Sequence, residues 1–429
     1  MSLYKQQLAW LFGLRRGGGE RTLDGMRALW NALGRPCAGL PCIQVGGTNG
    51  KGSTAACCAA ILNASSRRVG LFSSPHLIDF RERFRINGQM LPQSAVSEAI
   101  ASVRDAAQTT GYPPLFFEIT TATALLLFAQ QEVDALVLEV GVGGRLDATT
   151  VFPATASIVV SVGMDHCEYL GYSLTEIATN KAGILRTGKP VWLGAMRSEV
   201  KRVFVEQAQR TESGPVRVYG EDFWVEGGSS GTFRYCNQVQ QSIDFRSPLL
   251  GAFQKINMGL AIDCLQTWMN APETLFANSG SSTAALEQVS LQAHHQEAKR
   301  FADAVRQGLC DVRWPGRMQR IEVEGRTWIL DGAHNPDAME QLCAEFEHES
   351  VVVLLGVMRP KALRELLTPI RRIAKRVVCY APNNPRAYTA DEVLEAVRFL
   401  DQKEQAMSVQ TLTQVWEWIQ RQASETPVL

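Results

Sequence analysis

Residues 45–54 read V-G-G-T-N-G-K-G-S-T, and the layout of the chain follows from them. An apolar run, Ile43–Val45, enters this glycine-rich loop, and an alanine-rich segment, Thr54–Ala64, reads as a helix on its far side. Strand, loop and helix in that order make a phosphate cradle. Glycines let backbone N–H groups converge on anionic oxygens, the helix N-terminus adds its dipole, and Lys51 supplies a point charge. The spacing departs from G-x-x-x-x-G-K-[ST], because Gly52 separates Lys51 from Ser53. An ordinary strand–helix turn also uses Gly and Asn. The lysine and hydroxyls at the helix start favour a nucleotide phosphate.

Composition narrows the field. A chain of 429 residues with 45% hydrophobic and 20% charged residues suits two globular domains. Lys+Arg and Asp+Glu are equal at 43, so an anionic ligand needs a local cluster, and no basic patch interleaved with aromatics suggests nucleic acid. The ten cysteines lack C-x-x-C spacing, which reads as reduced thiols in a cytoplasmic protein. No stretch has signal-peptide character or membrane-spanning length, so no membrane partner is expected.

Outward from the loop, apolar runs alternate with helical segments. Strands are expected at Ile43–Val45, Val69–Phe72, Ala135–Val140, Thr155–Val162 and Pro190–Leu193, and helices at Thr54–Ala64, Ser94–Gln108 and Thr120–Gln130. That alternation predicts a mostly parallel sheet flanked by helices, with ligands at the carboxyl ends of strands. Val216–Phe245 reads as a small antiparallel excursion, Ala271–Gln296 as a surface insertion or mobile linker, and Glu297–Gly308 as a helix. A second, smaller α/β domain follows. Its strands are expected at Thr327–Leu330, Val351–Leu355, Arg376–Tyr380 and Ala406–Leu412. Its helices are expected at Pro336–Glu347, Lys361–Ala374, Thr389–Leu400 and Thr413–Ala423. The expected domains are 1–305 and 306–429.

Polar residues fall at the strand ends. Ser74 follows one strand, Glu139 ends another, and Asp165-His166 follow a third. A carboxylate and a hydroxyl beside bound phosphate suit Mg²⁺, for which His166 is a less usual donor. Each has a plainer reading: Glu139 as partner of Arg145, His166 as a turn brace, Ser74 as a cap. By composition alone Lys181 reads as a solvated helix residue. In the second half, Asp331 could accept from sugar or amino groups, and His334 could bind an anion or cap the helix near Pro336, a role Asn335 suits as well.

These motifs together resemble the bacterial folylpolyglutamate synthase/dihydrofolate synthase proteins of the Mur ligase superfamily. The resemblance runs through G-T-N-G-K-G-S at 47–53, S-S-P-H-L at 73–77, R-E-R-F-R-I-N-G at 81–88, F-E-I-T at 117–120 and E-V-G-V-G-G-R-L-D-A-T at 139–149. It continues through D-H at 165–166, K-A-G-I at 181–184, W-P-G-R at 314–317, D-G-A-H-N-P at 331–336 and N-P-R at 384–386. The resemblance implies a P-loop-type ATP-binding domain, a Rossmann-like glutamate-ligase domain, and an ATP-dependent amide ligase working through an acyl phosphate. Its substrates would be ATP, L-glutamate and a pterin or folate, with Mg²⁺ as cofactor, in a monomer.

By the same resemblance, Thr48, Asn49, Gly50, Lys51, Gly52 and Ser53 form the phosphate loop, and Ser74, Glu139 and His166 hold magnesium. Lys181 matches a lysine carbamylated in the family beside the metal. Asn257, Arg317 and Asp331 match residues that hold ATP, and His334 lies near the reacting groups. Phe117, Asp147 and Ala148 match positions near the pterin, where an aromatic face and a carboxylate are chemically apt. Two departures stand out: Phe253 replaces a common histidine, and Pro360-Lys361-Ala362 replaces D-K-D. Two other readings compete. One is a Mur-type ligase for a cell-wall precursor, disfavoured because only about forty residues precede the phosphate loop. The other is a nucleotide-binding regulatory protein that has lost catalysis.

Overall fold

The computed structural model describes residues 2–15, 22–228, 231–269, 291–347, 349–359, 363–400, 406–421 and 426–429. Of the expected insertion at 271–296, positions 271–290 lie outside these residues, as do positions 360–362. The chain forms two units: Met1–Pro248 with Gln254–Arg313, and Leu249–Phe253 with Trp314–Leu429.

The first unit is built on eight strands, β1 (Cys42–Gly46), β2 (Val69–Phe72), β3 (Phe84–Ile86), β4 (Gln89–Met90), β5 (Ala135–Glu139), β6 (Ala156–Val159), β7 (Val191–Leu193) and β8 (Val216–Val218). Their order is β4-β3-β2-β5-β1-β6-β7-β8. From β2 to β8 every pairing is parallel, and at one edge β3 pairs antiparallel with both β2 and β4. The parallel strands read as unbroken apolar runs because helices cover both faces. Gln44, 0% exposed in the centre of β1, and Ser157 in β6 are buried polar exceptions.

From β1 the chain passes to β2, returns to β5 between them, and then crosses to β6 on the other side. Loops leaving β1 therefore sit where the winding reverses, the usual ligand crevice of an open α/β sheet. One core includes Leu136, Phe128, Ile100 and Phe84, and another, around β7, includes Val159, Leu193 and Phe204. A three-stranded antiparallel sheet follows, β9 (Phe223–Gly227), β10 (Thr232–Asn237) and β11 (Ser242–Arg246), ordered β11-β10-β9.

In the second unit, β12 (Gln319–Val323) and β13 (Arg326–Leu330) form a hairpin, and β14 (Val351–Leu355), β15 (Ala374–Tyr380) and β16 (Ala406–Val409) run parallel. Residues 427–429 thread between β13 and β14. Ile329 N–H donates to Val428 O at 2.7 Å, and Leu429 N–H to Val352 O at 2.8 Å. The helix expected over Lys361–Ala374 is instead a short helix, Leu363–Leu367, and a 3₁₀ turn, Pro369–Arg372. Pro369 has no N–H with which to continue the ladder. The helix expected at Glu297–Gly308 extends over Leu291–Asp311, carrying the unit boundary to Arg313.

Candidate active site

The phosphate loop folds as its glycines require. Gly47 and Gly50 have φ of +142° and +84°, conformations that side chains resist. The following helix begins at Lys51, three residues before the alanine run, with Gly50 as its cap. Its first-turn N–H groups have no partner within the helix, which makes them donors for an anion. Thr48 N–H donates to Ser161 O at 2.8 Å and Asn49 N–H to Ser161 Oγ at 2.9 Å, tying the loop to the end of β6. Thr48 Oγ1 accepts from Gly163 N–H at 3.0 Å.

The neighbouring strand ends complete the site. Val45 pairs with Glu139, Gly46 with Val159 and Phe72 with Leu138, so the tips of β2, β5, β1 and β6 lie side by side. Glu139 is buried and accepts from Ser74 N–H at 3.0 Å, which joins two of the expected metal donors directly. His166 is exposed, at φ +52°, and its N–H donates to Asp165 Oδ1 at 2.9 Å. Among the described residues no three His, Cys, Asp or Glu side chains gather as a metal cluster.

Lys181 is not a solvated residue. It is 3% exposed, and its Nζ donates to Gly47 O at 2.8 Å. Lys51 Nζ donates to the same carbonyl at 3.1 Å and to Thr48 O at 3.0 Å. Burial and then the charge of Lys51 push the Lys181 ammonium down to about 7, against the opposing pull of Asp165 and Asp147. Asn257, also buried, accepts from Thr54 Oγ1 at 3.3 Å, and its Nδ2 donates to Gln254 Oε1 at 2.8 Å. Thr48–Ser53, Asn257, Lys181 and the Glu139–Ser74 pair are thus gathered in one unit.

The expected pterin residues lie on the same unit. Gly141 gives Phe117 its place: a Cβ there would stand 2.5 Å from the ring's Cζ. Asp147 is buried and already used by its own loop. Oδ2 accepts from Gly141 and Val142 N–H at 3.0 Å each, and Oδ1 from Thr149 Oγ1 at 2.6 Å and Thr149 N–H at 3.1 Å. Burial raises its pKa, and these hydrogen bonds counter the rise. Ala148 is buried at the start of the next turn.

The second unit holds the remaining candidates. Asp331 accepts from Met318 N–H at 2.8 Å and Ala333 N–H at 2.7 Å, and burial raises its pKa despite Arg317. Arg317 Nη1 donates to Gly316 O at 3.1 Å. His334 is exposed, its Nδ1 2.7 Å from Gly332 O, whereas Asn335 caps the helix by accepting from Ala338 N–H at 2.9 Å. Phe253 packs against the second unit's core. Sequence reasoning missed Ser161 and Gln254. A hydroxyl just past a strand beside the phosphate loop was the available signal for Ser161.

The Mur ligase middle-domain model matches residues 45–265, and the Mur ligase glutamate ligase domain model matches residues 316–429. The chain belongs to the Mur ligase family. Within the Mur ligases it groups with the folylpolyglutamate synthase/dihydrofolate synthase proteins. The folylpolyglutamate synthase of Lacticaseibacillus casei is 31% identical over 94% of this chain and 92% of its own length. The Escherichia coli dihydrofolate synthase/folylpolyglutamate synthase is 32% identical over 82% of this chain and 75% of its own length. A bifunctional folylpolyglutamate synthase/dihydropteroate synthase of Haloferax volcanii is 33% identical over 88% of this chain, which spans 43% of that relative. Among solved structures, E. coli FolC in complex with DHPP and ADP matches with TM-score 0.82 and 27% identity, covering 100% of this chain and 94% of that one. Mycobacterium tuberculosis folylpolyglutamate synthase complexed with ADP matches with TM-score 0.85 and 25% identity, covering 99% and 94%.

Proposed function

We infer that this chain is an ATP-dependent ligase that joins L-glutamate to the carboxylate of a pterin substrate in folate metabolism. One observation carries the reading. Lys51 and Lys181 converge on Gly47 O, and Glu139 ends the strand next to β1. The Lys51 charge over a glycine-rich loop suits a triphosphate, and Glu139 beside it, with Lys181 once carbamylated, suits a divalent ion.

A pterin carboxylate oxygen attacks the γ-phosphorus and ADP departs, leaving an acyl phosphate. The glutamate amine then attacks the acyl carbon. It loses a proton, and phosphate leaves with the former carboxylate oxygen. The protein contributes mainly position and charge. Thr48–Ser53 and Asn257 hold the nucleotide. Phe117 and Ala148 line the pterin side, with Asp147 bracing the loop.

The donor set suits Mg²⁺: Glu139 and Ser74 offer oxygens, and His166 an imidazole. Bound there, the ion would neutralise phosphate charge. Lys181 fits carbamylation, because a pKa of about 7 leaves much of the amine neutral and able to attack CO₂. The product is an anion, which relieves the repulsion from Lys51. We further propose a monomer acting in the cytoplasm; among the described residues no helix is long and apolar enough to cross a membrane.

The test supplies ATP, Mg²⁺ and glutamate with dihydropteroate or a reduced folate in turn, and weighs the products. A mass increase of one glutamate with matching ADP supports the reading. ADP-free mixtures with every pterin overturn it.

A further inference from the structure

Gln44 has no place in the chemistry above, yet it lies at the base of the site. A polar side chain at 0% exposure in a central strand needs partners, and Gln44 has three. Arg186 Nη2 donates to Gln44 Oε1 at 3.4 Å. Gln44 Nε2 donates to Thr149 Oγ1 at 3.0 Å and Thr150 Oγ1 at 2.9 Å. Each threonine then spends its single proton: Thr149 on Asp147 Oδ1 at 2.6 Å, Thr150 on Gly144 O at 2.7 Å.

The direction of this chain is forced. A guanidinium only donates, so Arg186 can face only the amide oxygen. The amide nitrogen must therefore point at the threonines, and their hydroxyl protons must point onward. Both ends of the relay sit in loop 141–150. Asp147 braces the amides of Gly141 and Val142, beneath the Phe117 ring. Gly144 lies so close to the Lys181 turn that a Cβ would stand 2.7 Å from Lys181 O. Arg186 reaches the same loop again through Thr150 O, at 2.8 Å.

We propose that Gln44, oriented by Arg186, is a positioning residue that sets the pterin-side loop through the proton direction of Thr149 and Thr150. It touches no substrate and acts through Asp147 and Gly144. The proposal rests on the ligase reading. Wild-type turnover tests that reading by itself, so the two can fail separately.

The experiment compares KM for pterin and for ATP in Gln44→Leu and Gln44→Glu. Leucine suits a buried strand and removes the whole relay. Glutamate keeps the size and can pair with Arg186, but it accepts only, and so competes with Asp147 for the Thr149 proton. Both should raise the pterin KM about ten-fold, with the ATP KM within about two-fold of wild type. An unchanged pterin KM, or equal rises in both constants, overturns the proposal. If either variant does not fold, Thr150→Val, which removes the bond to Gly144 O from outside the strand, decides by the same ratio.

Discussion

Gly50→Ala tests the phosphate loop through backbone geometry alone. Gly50 has φ +84°, where an alanine costs about 1–2 kcal/mol. Its Cβ would stand 2.4 Å from Asn257 Oδ1 and 2.7 Å from Val160 Cγ1. Such overpacking costs about 1–3 kcal/mol, and the stiffer unfolded chain returns about 0.4–1 kcal/mol. The net loss is about 2–4 kcal/mol, or a fall in Tm of roughly 3–6 °C for a unit of this size. Asn257 cannot retreat into solvent, being 2% exposed, so it must give up its place beside Thr54. A displacement near 1 Å costs up to about 100-fold, so kcat/KM for ATP should fall by 30-fold or so while the pterin KM holds. Thermal melts and initial rates at varied ATP measure both. A variant with wild-type Tm and ATP kinetics would refute the assigned loop geometry.

Three further outcomes follow from other residues. Lys181→Ala should lose activity that short carboxylic acids partly restore in place of the carbamate; undiminished turnover without them would contradict the assigned role. Burial raises the Glu118 carboxyl to about 7 from 4.5, so the folded chain keeps a proton that the unfolded chain releases between those values. That stability is present below about pH 4.5 and is lost as pH rises through 7; melting curves from about pH 5 to 8 should therefore fall more steeply for wild type than for Glu118→Gln. Asp263 takes bonds from Arg217, Trp192 and Tyr235 while 1% exposed. Asp263→Leu strands these donors and should cost about 3 kcal/mol by denaturant melt, the low end of the range because Arg217 stays partly exposed.

Periodicity and glycine chemistry made much of this legible. Val69–Phe72 and Val351–Leu355 appear as strands with the expected bounds, because buried parallel strands are short apolar runs ended by polar turns. The helix Phe116–Gln130 starts four residues before the expected Thr120, since its first turn carries aromatic residues of low helix propensity that packing stabilises. The pairing of residues 427–429 was not legible: three residues have no periodicity, and only their partners in β13 and β14 define it. Asp147 matches a pterin-side position by resemblance, and spacing does not reveal that four hydrogen bonds from its own loop also engage it. Lys181 misled composition for the opposite reason. Its burial comes from a distant carbonyl, Gly47 O, which local sequence does not encode.

The fate of one oxygen atom tests the central claim most directly. A pterin substrate carrying ¹⁸O in its carboxylate should, on ligation, pass one labelled atom to the inorganic phosphate. Unlabelled phosphate alongside normal amide formation would contradict activation through an acyl phosphate.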